Sequence, residues 1–232
     1  MIVAIHQPQF MPWLGYFDKM DQVDCFVLLD QVQFKKNEWQ NRNRIKTVQG
    51  PMWLTVPVTY RFPASLLEVK VNRAVHWRHK HLQALRTNYS RAEGWERARS
   101  ELEVLYAADP EGLVEANRAS IDWLRLQLGV MTPMRLASEM TLGDEPTQRL
   151  VDICRTVGAD TYLAGVDGRR YMDLEAFGAA GIAVVFQEYE HPEYPQLFGS
   201  FVSHLSALDL VLNCGTRSGE ILRRGRRLPA AH

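Results

Sequence analysis

The feature that most constrains this chain is its opening, a short β-branched run from Ile2 to Ile5 that stops at a polar loop held between two prolines. A run so brief and β-branched reads as a buried strand. The loop His6-Gln7-Pro8-Gln9-Phe10-Met11-Pro12-Trp13 cannot prolong it. Neither proline donates to a ladder, and both push the preceding residue out of the α region, so the loop is stiff and extended. Leu14, Phe17 and Met20 then recur at near-helical spacing, and Cys25 to Leu29 forms a second apolar run. Strand, loop, short helix and strand make a βαβ crossover, which demands a parallel pair of strands. Ligands of open α/β sheets bind beyond the carboxyl ends of the strands, where His6 and Asp30 both fall.

The rest of the chain extends this plan. Met52 to Val58 and Leu66 to Val71 read as strands, with Pro57 confining the first to an edge or a bulge. From His76 the period turns helical, and further helices fit Glu93 to Tyr106 and Pro110 to Leu128. The last of these has Asp109 as N-cap, Pro110 in its first turn and Gly129 as its stop. A helical insertion or cap over about 76–129 follows. Alternation then returns: a short strand at 134–140, a helix at 145–157 closed by Gly158, and a strand at 160–164 that runs into a glycine-bearing turn. A helix at 171–179, a buried strand at 182–186 and a helix at 202–212 complete it. The expected fold is α/β, a mostly parallel sheet flanked by helices with a helical insertion or cap in mid-chain. It forms one domain over 1–215, followed by a frayed, arginine-rich basic tail over 216–232.

Lys plus Arg equals Asp plus Glu, 27 each, so the net charge offers no field for long nucleic acid or an anionic membrane. No apolar run spans a bilayer and the start lacks the layout of a secretion signal. Three cysteines without a CxxC spacing form no disulfide framework. The expectation is a cytoplasmic, reduced protein.

Two polar loops at strand ends carry the candidate chemistry. His6 is placed as general base, since histidine titrates near neutrality, with Asp30 to orient it and Gln7 and Trp13 beside it as substrate contacts. After the second strand, Lys35 can neutralise a phosphate or carboxylate. Trp39, Asn41 and Arg42 suit sugar or anion recognition, against the plainer reading of a solvated loop. The second loop, from Gln187 to Gln196, interleaves His191 and Tyr194 with amide side chains and is stiffened by Pro192 and Pro195. His191 joins the catalytic set, and Gln187, Tyr194 and Gln196 the substrate contacts. Lys80 and His81 are expected to cover the site from the helical cap. The histidines at 76, 79 and 81 lack a common helical face and an acidic or thiol partner, so no metal is expected. No cofactor is expected. Cys25, Cys154 and Cys214 sit in apolar surroundings that favour packing over nucleophilic chemistry. The turn from Gly165 to Arg170 resembles a phosphate-binding turn entering a helix, although a glycine pair also suits any tight turn.

The stretches IHQPQFMPWLGYFDKM, LLDQVQFKKNEWQNRNRIK, WLTVPV, RLVDICRTVGADTYLAG and GIAVVFQEYEHPEYPQLFGSFVSHLSALDLVLNCG closely resemble the WbqC-like family, over Ile2 to about Gly215. That resemblance implies an enzyme of bacterial surface-glycan assembly, of the O-antigen or lipopolysaccharide kind. The expected reaction is acyl or aminoacyl transfer to an amino sugar, forming an amide. The expected partners are a small sugar or nucleotide-sugar and an acyl or aminoacyl carrier protein. The strand–His–loop–helix–strand layout also looks like the start of HxGH-type nucleotidylyltransferases, but the second histidine and the glycine are absent. Nucleotidyl or adenylyl transfer and non-catalytic binding of a glycan or nucleotide-sugar stand as alternatives.

Overall fold

The computed structural model describes residues 1–170 and 172–227. β1 (Ile2–His6) leads through the proline loop to α1 (Leu14–Asp21) and β2 (Cys25–Leu28). A hairpin of β3 (Arg42–Thr47) and β4 (Gly50–Thr55) follows, then the short antiparallel pair β5 (Val58–Thr59) and β6 (Lys70–Val71). The helices α2 (Trp77–Tyr89), α3 (Trp95–Ala107) and α4 (Leu113–Gln127) form the insertion. Alternation resumes with β7 (Met134–Leu136), α5 (Pro146–Val157), β8 (Thr161–Ala164), α6 (Leu174–Ala179) and β9 (Ala183–Phe186). The described chain closes with β10 (Glu188–Tyr189), α7 (Ala207–Cys214), α8 (Ser218–Arg224) and β11 (Arg226–Arg227).

Five strands form one parallel sheet in the order β7-β2-β1-β8-β9. Its inner strands alternate between two cores, as a two-residue side-chain period requires. Val3, Ile5, Cys25, Val27, Tyr162 and Ala164 face one core with Ile153, Cys154 and Phe177 of α5 and α6. Ala4, Phe26, Leu28 and Leu163 face the other, with Phe17 of α1 and Leu208 of α7. The chain steps from β1 to β2 and β7 on one side, then crosses back to β8 on the other. The order therefore reverses between β1 and β8, and a crevice opens there beyond their carboxyl ends. Among the described residues no helix is long and apolar enough to cross a membrane.

Several elements depart from the sequence expectation for identifiable reasons. The stretch at 42–47 is a strand, although Arg, Asn and Lys favour strands weakly, because it pairs over its whole length with β4. Pro57 divides the expected 52–58 strand into β4 and β5. The expected strand at 66–71 begins instead as a 3-10 turn over Leu66–Glu68, held by a capping box between Ser65 and Glu68. α4 starts from Gly112, not Asp109, whose carboxylate is taken by Arg73 and Arg78. The last expected helix starts at Ala207, where Ser206 caps Leu208 N–H, and residues 202–205 belong to the preceding loop. Asp173 caps α6 at Leu174, and Tyr171, the expected start, lies outside the described residues. Residues 216–227 are not a frayed tail. α8 packs on α1, β11 pairs with β10, and Arg223 and Arg226 bind Asp21. Residues 228–232 lie outside the description.

Candidate functional site

The crevice at the switch point has a volume of about 740 Å³, within the range of small-molecule sites. His6, the last residue of β1, lines it together with Gln7, Trp13 and Gln187 from the two polar loops. Gly15, Tyr16 and Lys19 of α1, Arg149 of α5 and the turn from Gly165 to Gly168 line it as well. Four residues expected from the sequence thus meet at one address, while the others lie elsewhere.

His6 sits edge-on to the Tyr16 ring, with centroids 4.7 Å apart. Its Nδ1 lies 3.1 Å from the Gln7 carbonyl. A carbonyl only accepts, so Nδ1 carries the proton and Nε2 keeps its lone pair. Burial, then the neighbouring Lys19 charge, lower the His6 pKa to about 3. His6 is therefore neutral at physiological pH, against the expectation of a group titrating near neutrality.

Lys19 was not singled out from the sequence. α1 is buried over Leu14–Met20, so two of its three charged residues, Asp18 and Lys19, enter the interior, while Asp21 is half-buried. Asp18 has partners: it accepts from Gln187 Nε2 at 2.8 Å and from Arg226 Nε at 3.0 Å. Lys19 is 3% exposed and has no hydrogen bond or ion pair among the described residues. Its Nζ reaches the crevice wall, 4.0 Å from where a Cβ on Gly165 would stand. Burial lowers its pKa to about 7. The available signal was a lysine set between Phe17 and Met20 in a short helix that follows a ligand-type loop.

Trp13 links the crevice to the second loop. A Cβ on Gly15 would come within 2.7 Å of three ring atoms of Trp13, so only glycine lets the indole fold onto α1. The indole stacks on His204 at 5.4 Å and on His191 at 6.4 Å. His191 therefore stands behind Trp13 and does not line the crevice. Its Nδ1–H donates to the Pro192 carbonyl, its Nε2 is buried without a partner, and burial lowers its pKa to about 4.

Most of the other expected site residues have structural partners. Asp30 accepts from Ser138 N at 2.9 Å and Ser138 Oγ at 2.6 Å, which anchors the turn after β7 instead of orienting His6. Asn41 Nδ2 donates to the Val56 carbonyl at 2.9 Å. Arg42 lies over the Trp53 ring at 4.2 Å, beside the half-exposed Trp39. Tyr194 and Gln196 both donate to the buried carboxylate of Asp209, at 3.0 and 2.9 Å. His81 is buried among Phe10, Trp77 and Tyr106, and Lys35 and Lys80 are exposed. The helical insertion does not cover the crevice; it buttresses the first loop. Asn117 Nδ2 of α4 donates to the Pro8 carbonyl, and Ser120 Oγ accepts from Met11 N, whose φ is 46°. The turn after β8 continues as a 3-10 segment, with Arg169 over Phe186 and Arg170 beside Asp167, so neither arginine lines the crevice. All three cysteines are buried, and burial raises each thiol, Cys154 to about 12 and Cys214 to about 11.

The fold is an α/β architecture, a doubly wound parallel sheet with a crevice at its switch point. The chain belongs to the WbqC-like protein family, whose pattern matches residues 7–221. It is also 35% identical over 225 residues to a Mycobacterium tuberculosis (strain ATCC 25618 / H37Rv) protein described as "Uncharacterized protein Rv1507c". That match covers 95% of this chain and 97% of the relative. No solved structure matches.

Proposed function

We propose that the protein is an enzyme of surface-glycan assembly that transfers an acyl or aminoacyl group to the amino group of a sugar held in the switch-point crevice. Membership of the WbqC-like family supports the pathway. The observation that carries the reaction is His6, whose Nε2 lone pair stands at the carboxyl end of β1 in a crevice of about 740 Å³. In this reading the sugar nitrogen attacks the carbonyl carbon of a thioester donor. The C–N bond forms and the C–S bond breaks. The proton leaving nitrogen is taken at Nε2 and passed to the departing thiolate. Trp13 and Gln187 shape the sugar pocket, and the buried cysteines take no part.

The test is incubation of the full chain with free and nucleotide-linked amino sugars and acetyl or aminoacyl thioesters, with mass spectrometry for an amide. An amide that depends on His6 supports the proposal. Absence of amide with every pair overturns it. Strand–loop–helix architecture around His6 keeps nucleotidyl transfer as the second reading, and pyrophosphate released from ATP or CTP with Mg²⁺ would select it.

A further inference from the structure

A lysine ammonium buried without a counter-ion is costly, because the lost hydration is not replaced by any protein group. Lys19 is in that position, and its side chain leads into a cavity rather than into packed core. Two neutral features surround it. α1 begins at Leu14 with no side-chain N-cap and no acidic residue in its first turn, so the positive end of its dipole is uncompensated there. Gly15 lies one turn before Lys19 on the same helical face, so the lysine side chain, tilted toward the helix start, shares that end of the crevice. Across from it, Gly165 leaves space beside Nζ, and the turn to Gly168 presents backbone to the same cavity.

We propose that Lys19, the start of α1 and the Gly165–Gly168 turn form a phosphate subsite, and that the sugar enters the crevice linked to a phosphate or nucleoside diphosphate. The inference rests on the crevice being the sugar site, as read above, and is independent of the acyl donor. A phosphate fills only a small part of about 740 Å³. The remaining volume accommodates what the phosphate carries, with His6 lining the same crevice. The titratable or charged groups that line the crevice with Lys19 are His6 of β1, Tyr16 of α1, Arg149 of α5, Tyr162 of β8, Asp167 of the following turn and Tyr189 of β10. Asp167 is the only carboxylate among these lining groups, is exposed, and pairs with Arg170 at 3.9 Å. The same anion also acts on His6. The Lys19 charge is the second cause, after burial, of the lowered His6 basicity, and a bound phosphate offsets that charge. Loading the substrate therefore makes His6 a better proton acceptor.

Calorimetric titration of the full chain with inorganic pyrophosphate, uridine diphosphate and, as a carboxylate source, acetate tests the subsite. Saturable binding of pyrophosphate or uridine diphosphate, weakened at least about tenfold in Lys19→Met, is expected; His6→Asn should bind within a few-fold of the parent. No phosphate binding, equal binding by Lys19→Met, or equal affinity for acetate overturns the subsite. If Lys19→Met fails to fold, the Cε resonance of Lys19 in the parent decides. Pyrophosphate must raise the pKa of Lys19, and an unmoved titration overturns the proposal. Amide formed on a free amino sugar without phosphate affinity would remove the subsite and leave the proposed reaction standing. Tight phosphate binding with no amide from any donor would do the reverse.

Discussion

At the scale of single residues, the crevice sets two bases against each other. Lys19 holds a pKa of about 7 and His6 one of about 3. The group that titrates near neutrality in the free protein is therefore the lysine. A phosphorylated sugar needs the ammonium, so kcat/KM should fall as pH rises through about 7, since this parameter reports free-enzyme ionisations. Lys19→Met should flatten that limb. His6→Asn keeps polar volume but not a titratable nitrogen, and should lower kcat by about 10²- to 10⁴-fold with the limb still in place. Rate profiles of the three proteins decide the matter. A limb that disappears with His6→Asn and survives Lys19→Met would return the titration to the histidine.

At the scale of elements, legibility in the sequence followed local signals. β1, β2, β8 and α5 were readable because apolar runs, Glu145 before Pro146, and Gly158 with φ 74° agree with the final packing. β3 was not, since its residues become a strand only through β4, and Asn41 and Asn43 turn inward to hold the Val56 and Met11 carbonyls. The same long-range partnership explains why Tyr194 and Gln196 looked like substrate contacts. Nothing local to either residue announces Asp209, a buried carboxylate on α7. The basic C-terminal segment is not legible for the same reason, because two of its arginines, Arg223 and Arg226, find acids on α1, some 200 positions earlier. These arginines are unequal. Arg226 bonds both the wholly buried Asp18 and Asp21, whereas Arg223 reaches Asp21 alone. Arg226→Ala leaves Asp18 without its cation and should cost about 3–5 kcal/mol, the range for breaking a buried pair. Arg223→Ala should cost no more than about 1 kcal/mol, because Asp21 keeps Arg226. Urea denaturation midpoints measure both. Equal losses would mean that α8 and β11 are held by packing on α1 rather than by charge.

At the scale of the whole molecule, an unpaired buried lysine trades stability for a ligand site. Its folded pKa of about 7 lies below the ordinary 10.5. Between these values the unfolded chain binds a proton that the folded protein does not, so this group makes stability rise with pH across that window. The full cost falls below about pH 7, where the folded protein must carry the buried charge. Lys19→Met, similar in shape and uncharged, should therefore be more stable than the parent at pH 6, by about 3–5 kcal/mol, and nearly equal above pH 10.5. Pyrophosphate acts on the same term from the other side. At a hundred times its Kd it should add about 2.7 kcal/mol to the parent, or about 5–10 °C in Tm for a chain of this size. The shift should be larger at pH 6 than at pH 9, because the bound form needs the ammonium. Lys19→Met should show little shift at either pH. Scanning calorimetry of both proteins at the two pH values provides the check. A less stable Lys19→Met that keeps the full pyrophosphate shift would make Lys19 a packing residue and place the anion elsewhere.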